Sequence, residues 1–200
     1  MLHSAGKSGS MFGHSLRGRR MRKEFAVLAM GCLTLALMAA LGSPQTDKAA
    51  RPSPAAKASC TLADGKSITV DYSSPRAKGR KIFGGLVPYG EVWRAGANEA
   101  TTFVTTTDVM VGGTHVPSGS YTIFAIPNKD KWMLVISKKT GEWGTAYPGA
   151  SEDLARIDMK ASTLPTAVEN FTIAFDKTAS GCTLRMDWET TRASVEIAKM

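Results

Sequence analysis

Beyond residue 60, hydrophobic and polar residues alternate with a period of two, the pattern of half-buried β-strands. Ile68, Val70 and Tyr72 alternate with Ser67, Thr69 and Asp71. Phe171, Ile173 and Phe175 alternate with Thr172, Ala174 and Asp176, and Leu184, Met186 and Trp188 with Arg185, Asp187 and Glu189. The runs TTFVTTT (101–107), SYTIFAI (120–126), KWMLVIS (131–137), LARIDMKA (154–161) and RASVEI (192–197) add β-branched or alternating segments. Turn chemistry separates them: Gly112-Gly113 marks a hairpin, and Pro117-Ser118-Gly119 and Pro127-Asn128-Lys129-Asp130 mark tight turns. No stretch sustains an i, i+3, i+4, i+7 stripe, and EDLAR from Glu152 is read as at most one turn of helix. Several short strands at this spacing predict an all-β, antiparallel single domain, a β-sandwich or a jelly roll.

Upstream the pattern is different. Arg17, Arg19, Arg20, Arg22 and Lys23 precede Phe25–Leu41, an uncharged run of 17 residues. A basic cluster before an apolar run is the layout of a secretory signal. Ala40, Leu41 and Gly42 place small residues where a signal peptidase reads, so residues 1–42 are taken as a signal cleaved after Gly42, with Met21 as an alternative start. The expected destination is periplasmic or secreted. The alternative is an uncleaved membrane anchor over residues 25–41, since the run is near the lower limit for crossing roughly 30 Å of hydrocarbon. Lipid attachment at Cys32 and a twin-arginine signal at Arg19-Arg20 fit the flanking residues poorly. Residues 43–59 (SPQTDKAARPSPAAKAS) are nearly devoid of large apolar side chains and read as a disordered tether, leaving 60–200 as the folded domain.

Setting the leader aside changes the charge and cysteine arithmetic. The chain carries 25 basic and 17 acidic residues, but six of the basic and one of the acidic lie in residues 1–42, so the remainder is 19 − 16 = +3. The basic excess that suggests nucleic acid therefore belongs largely to the targeting segment, and no nucleic-acid partner is expected. Cys60 and Cys182 are the two cysteines left, an even number suited to one disulfide in an oxidising compartment; two buried thiols are the alternative.

Residues 79–102, GRKIFGGLVPYGEVWRAGANEATT, break the alternation. Five glycines there share the stretch with Arg80, Lys81, Tyr89, Glu91, Trp93, Arg94, Asn98 and Glu99. Glycines indicate positive φ or close backbone approach, and binding groups are often carried on such loops. At these residues the chain resembles a bacterial family of exported proteins known as domain-of-unknown-function family 2911. The similarity spans 72–103, 116–127, 131–139, 171–176 and 188–197. It implies a secreted or periplasmic all-β domain and brings no assigned activity, cofactor or catalytic residue.

His115 is the one histidine after residue 42, which argues against a zinc or copper site and leaves a Ser-His-Asp triad without a Gly-x-Ser-x-Gly elbow. No cofactor is expected. Glu99 is the candidate general acid or base, with an ion pair to Arg94 or Arg192 as the structural alternative. Asp187 and Glu189 share a strand face that reads as solvated. Arg94 offers a planar fork of donors for carboxylate, phosphate or sugar hydroxyls. Trp93 beside it either stacks on a ligand or points into the core, since adjacent strand residues face opposite ways. Tyr89, Trp132, Trp143 and Tyr147 are candidates for a carbohydrate platform, with Trp143 the most exposed of them.

The leading expectation is an envelope module binding a small polar ligand, a glycan or a partner protein through Lys81, Tyr89, Trp93, Arg94, Asn98 and Glu99. A hydrolase acting on envelope glycans or peptides through Glu99 and Arg94, and an assembly subunit in which the loop locks the fold, are the competing readings.

Overall fold

The computed structural model describes residues 50–200. Its strands are β1 (Ala55–Thr61), β2 (Ser67–Ser73), β3 (Thr101–Thr105), β4 (Val109–Val111), β5 (Thr114–Val116), β6 (Gly119–Ile126), β7 (Lys131–Ser137), β8 (Asp153–Lys177) and β9 (Gly181–Lys199). All pairings between them are antiparallel, in the order β1-β2-β3-β6-β7-β8-β9-β4-β5. The predicted all-β antiparallel domain is therefore what forms, with one refinement. The layers facing each other are parts of one continuous sheet folded over itself.

The fold-over follows from β8 and β9. The 25 residues of β8 would span about 80 Å if straight, roughly twice the ~40 Å diameter of a domain this size. The ribbon has to bend, and it does so where the register shifts, between Thr163 and Val168 and again between Val168 and Thr172. Bulges of this kind bend a strand and increase its twist. On the β9 side Glu189 takes φ 50° opposite Val168. The first half of β8 pairs with β7, and the second half returns over β1 and β2. Thus LARIDMKA and FTIAFD, two strands by sequence, are one bent strand, and the runs around Leu184 and Val195 are likewise one. The helical turn expected near Glu152 is a short 3-10 turn, Ala150–Glu152, that leads into β8.

One apolar core fills the space between the folded halves. Ile68, Val70, Phe103, Ile123, Leu134 and Ile136, together with Ile157 beside Leu134 and Val195 on the same half of the ribbon, meet Phe171, Ile173, Leu184 and Met186 of the returning half. The halves are also linked directly. Tyr72 of β2 accepts the Ile173 N–H at 3.1 Å. The Cys60–Cys182 disulfide joins β1 to the start of β9 across a sequence separation of 122, with Cα atoms 6.6 Å apart.

Two expectations need correction. The tether assigned to 43–59 does not extend to residue 59: Ala55–Ser59 belong to β1, paired with β2 from Ala55↔Ser73 to Thr61↔Ser67. Small side chains suffice there because only Ala58 and Cys60 face the core. Nor is Asp187 solvated. Its carboxylate is 4% exposed and held by Arg192 Nε and Nη2 at 2.8 and 2.7 Å and by Arg185, the pairing a buried charge requires. The bend beside it covers both strand faces, which alternation alone does not anticipate. The signal, its anchor alternative at 25–41, Cys32 and residues 43–49 lie outside the described residues; among the described ones no helix is long and apolar enough to cross a membrane.

Replacing both Cys60 and Cys182 by alanine is expected to lower unfolding free energy by about 4 kcal/mol, the chain-entropy value for a loop of this length. Urea unfolding followed by near-ultraviolet circular dichroism measures it. A loss under about 1 kcal/mol would show that the bond adds little to a core already closed.

Candidate functional site

The glycine-rich block lies in the connection between β2 and β3, residues 74–100, and it closes one end of the folded sheet. Apolar side chains draw it inward: Ile82, Phe83, Val87 and Ala95 are buried. Phe83 and Trp93 complete an aromatic cluster with Trp132, Phe171 and Trp188. Trp93 stacks on Trp188 at 5.9 Å and 20° and meets Phe171 edge-on at 4.9 Å, while Phe83 meets Trp132 edge-on at 4.8 Å. These are favourable geometries for ring pairs. Backbone shape follows the glycines where approach is closest: at Gly84, φ is 75° and a Cβ would stand 2.6 Å from the Tyr89 ring. Ala95 and Asn98 adopt φ of 50° and 56° without being glycine. The Thr101 hydroxyl bonded to the Ala95 carbonyl at 2.8 Å helps hold this stretch, the kind of local strain that surroundings must over-determine.

Trp93 and Ala125 form an antiparallel bridge with both N–H···O bonds at 2.8 Å. Their side chains share the core face, so Arg94 falls on the opposite face beside Phe124. That face is covered by the β7–β8 connection, residues 138–152. The Ala100 N–H donates to the Glu142 carbonyl, the Gly144 N–H donates to the Asn98 carbonyl, and Glu99 bridges Trp143. The Thr122 hydroxyl donates to Glu142 Oε2 at 3.4 Å. Tyr147 packs edge-on against Phe124 at 5.2 Å, donates its hydroxyl to Asp153 and accepts from Arg156 Nη2 at 2.8 Å. Burial, followed by the Asp153 carboxylate, raises the Tyr147 pKa above its ordinary value.

Most charges here are matched within the protein. Asp153 has Arg156 and Tyr147, and Glu99 has Arg51, whose Nη1 reaches its two carboxylate oxygens at 2.9 and 3.0 Å. Arg94 and Glu142 differ. Arg94 Nε and Glu142 Oε1 are buried without a hydrogen-bond partner, and no ion pair joins the two residues. Desolvation lowers the Arg94 pKa. A buried donor or acceptor left unpaired is unfavourable by about 1–3 kcal/mol, more for a charged group.

A sequence profile described as "Protein of unknown function (DUF2911)" matches residues 53–197. The chain belongs to the DUF2911 family. No curated protein and no solved structure matches it. The matched region of this DUF2911 protein opens at Ser53, whose carbonyl accepts a hydrogen bond from Asn98 Nδ2 at 3.0 Å.

The six residues grouped from sequence do not converge on one pocket. Trp93, partly buried, packs against the core. Asn98 and Glu99 hold the segment before β1 through Ser53 and Arg51, so among the described residues Glu99 pairs with Arg51 and not with the expected Arg94 or Arg192; Arg192 is engaged by Asp187. Lys81 lines a shallow groove with Arg80, Glu169 and Glu189, and Tyr89 lines another with Asn128 and Lys131. Arg94 alone of the six stands with an unused buried donor. Glu142 and Thr122 are the residues that sequence reasoning missed; the only signal near Glu142 is the turn-like TGEWG around exposed Trp143. His115, 48% exposed, bonds Asp108 at 2.9 Å on the β4–β5 hairpin, away from this cluster.

Trp93→Ala is expected to lose about 2–3 kcal/mol of stability, toward the low end for aromatic truncations because the ring is partly buried. Arg51→Ala is expected to lose at most about 1 kcal/mol, as partly exposed ion pairs do. Equilibrium denaturation of the two variants tests the ranking, and a larger loss for Arg51→Ala would make the segment before β1 the stronger lock.

Proposed function

We propose that this DUF2911 domain is an exported, non-enzymatic module that binds a small polar ligand through Arg94. The observation that carries this reading is the buried Arg94 Nε without a partner, on a guanidinium whose fork suits carboxylate, phosphate or hydroxyl acceptors. A bound acceptor would remove the unfavourable term that the free protein carries. The leader sequence and the disulfide are compatible with an oxidising compartment outside the cytoplasm.

Trp93, Asn98 and Glu99 favour the locking role for the remainder of the loop, since each is spent on internal contacts. The hydrolase reading draws less support: Glu99 is engaged by Arg51, and Arg94 is not its partner.

Arg94→Gln is expected to leave stability within about 1 kcal/mol of the parent or raise it, because it removes a desolvated charge that makes no hydrogen bond. It is also expected to abolish the thermal shift produced by any hit from a library of small carboxylates, phosphates, sugars and amino acids. Saturating ligand at about 100 times Kd stabilises by roughly 2.7 kcal/mol, which such a shift resolves. Hits retained in full by Arg94→Gln would remove Arg94 from the binding site.

A further inference from the structure

The ligand class can be narrowed by considering what Arg94 and Glu142 lack together; this step rests on the reading of Arg94 as a ligand contact. Arg94 has an unused donor and Glu142 an unused acceptor, both buried. Both address the same face of β6, Arg94 through the Trp93↔Ala125 bridge that sets it beside Phe124, and Glu142 through its bond from Thr122. Two other carboxylates near this face are already paired, Asp153 with Arg156 and Glu99 with Arg51. What remains with an unpaired buried atom is one positive and one negative group, not joined to each other.

A simple anion would gain from Arg94 and be opposed by Glu142, and a simple cation the reverse. A neutral ligand with an acceptor at one end and a charged donor at the other satisfies both. Phe124 and Thr122 are neighbours on one face of one strand, two residues apart, about 7 Å between backbone positions. Groups that address neighbouring positions of one strand suit a compact ligand. We propose that Arg94 and Glu142 form the two ends of a site for a small zwitterion of the α-amino-acid type, with the ligand carboxylate on Arg94 and its ammonium on Glu142.

The covering loop suits such a site. Gly141 and Gly144 flank Glu142-Trp143, adopt φ of 85° and 74°, and have open space where a Cβ would stand. Trp143, 61% exposed, follows Glu142 directly and offers an apolar surface for the ligand side chain. Arg51 lies over its ring at 5.8 Å, within cation–π range.

The test uses L-alanine with acetate and ethylammonium as its two halves, titrated into the folded domain and followed by amide chemical shifts. L-Alanine is expected to bind at least tenfold more tightly than either half. Glu142→Gln is expected to reduce that advantage over acetate to less than threefold without weakening acetate itself, and Arg94→Gln to abolish both. If acetate binds as tightly as L-alanine and Arg94→Gln removes it, the zwitterion assignment fails while Arg94 stands as an anion contact. If L-alanine does not bind, the assignment also fails, and the library screen with Arg94→Gln decides the broader reading separately. Circular dichroism of both variants checks that a lost signal is not a lost fold.

Discussion

The bend in the β8–β9 ribbon is the constraint on which the rest of this structure depends. Two strands of 25 and 19 residues cannot remain straight within a domain of this size, and the bulges around Val168 fold them over β1 and β2. That single event makes two layers from one sheet, places Phe171 and Trp188 opposite Phe83 and Trp93, and brings Cys182 to Cys60. It also buries Asp187, which survives inside because two arginines enclose it. The β2–β3 connection can then act as a plug, since the folded ribbon has prepared an aromatic socket for it.

Much of the fold is legible in the sequence because strand periodicity is a local property. Ile68, Val70 and Tyr72, or Leu184, Met186 and Trp188, declare their strand through alternation alone. β1 does not, because Ala58 and Cys60 are small and its exposed positions resemble a linker. The continuity of β8 is hidden for a related reason: residues 164–170 form the bulged bend, and a bulge interrupts the period that identifies a strand. Asp187 shows the limit of parity, which predicts opposite faces and not which of them stays wet.

The candidate site divides in the same way. That Trp93 and Arg94 face apart follows from adjacency on an extended segment, and the sequence carries that much. The partner of Glu99 is Arg51, 48 residues upstream, in a stretch whose composition gives no hint of tertiary contact. Glu142 becomes relevant only because a separate loop returns over the outer face of β6. Pairings between distant segments are set by the global path of the chain, and no local pattern announces them.

The disulfide has a consequence for the order in which the molecule assembles. Its first cysteine lies in the first strand and its second at the start of the last, and the Tyr72–Ile173 contact spans a similar distance, 101 residues. Contacts this remote in sequence form slowly, because a long loop must close before they stabilise anything. The β1–β2 and β6–β7 hairpins are local, but the contacts between the two layers wait until β8 and β9 are present. Until then one layer stands with its apolar face open, and the covalent bond, once made, ties the first strand to the last.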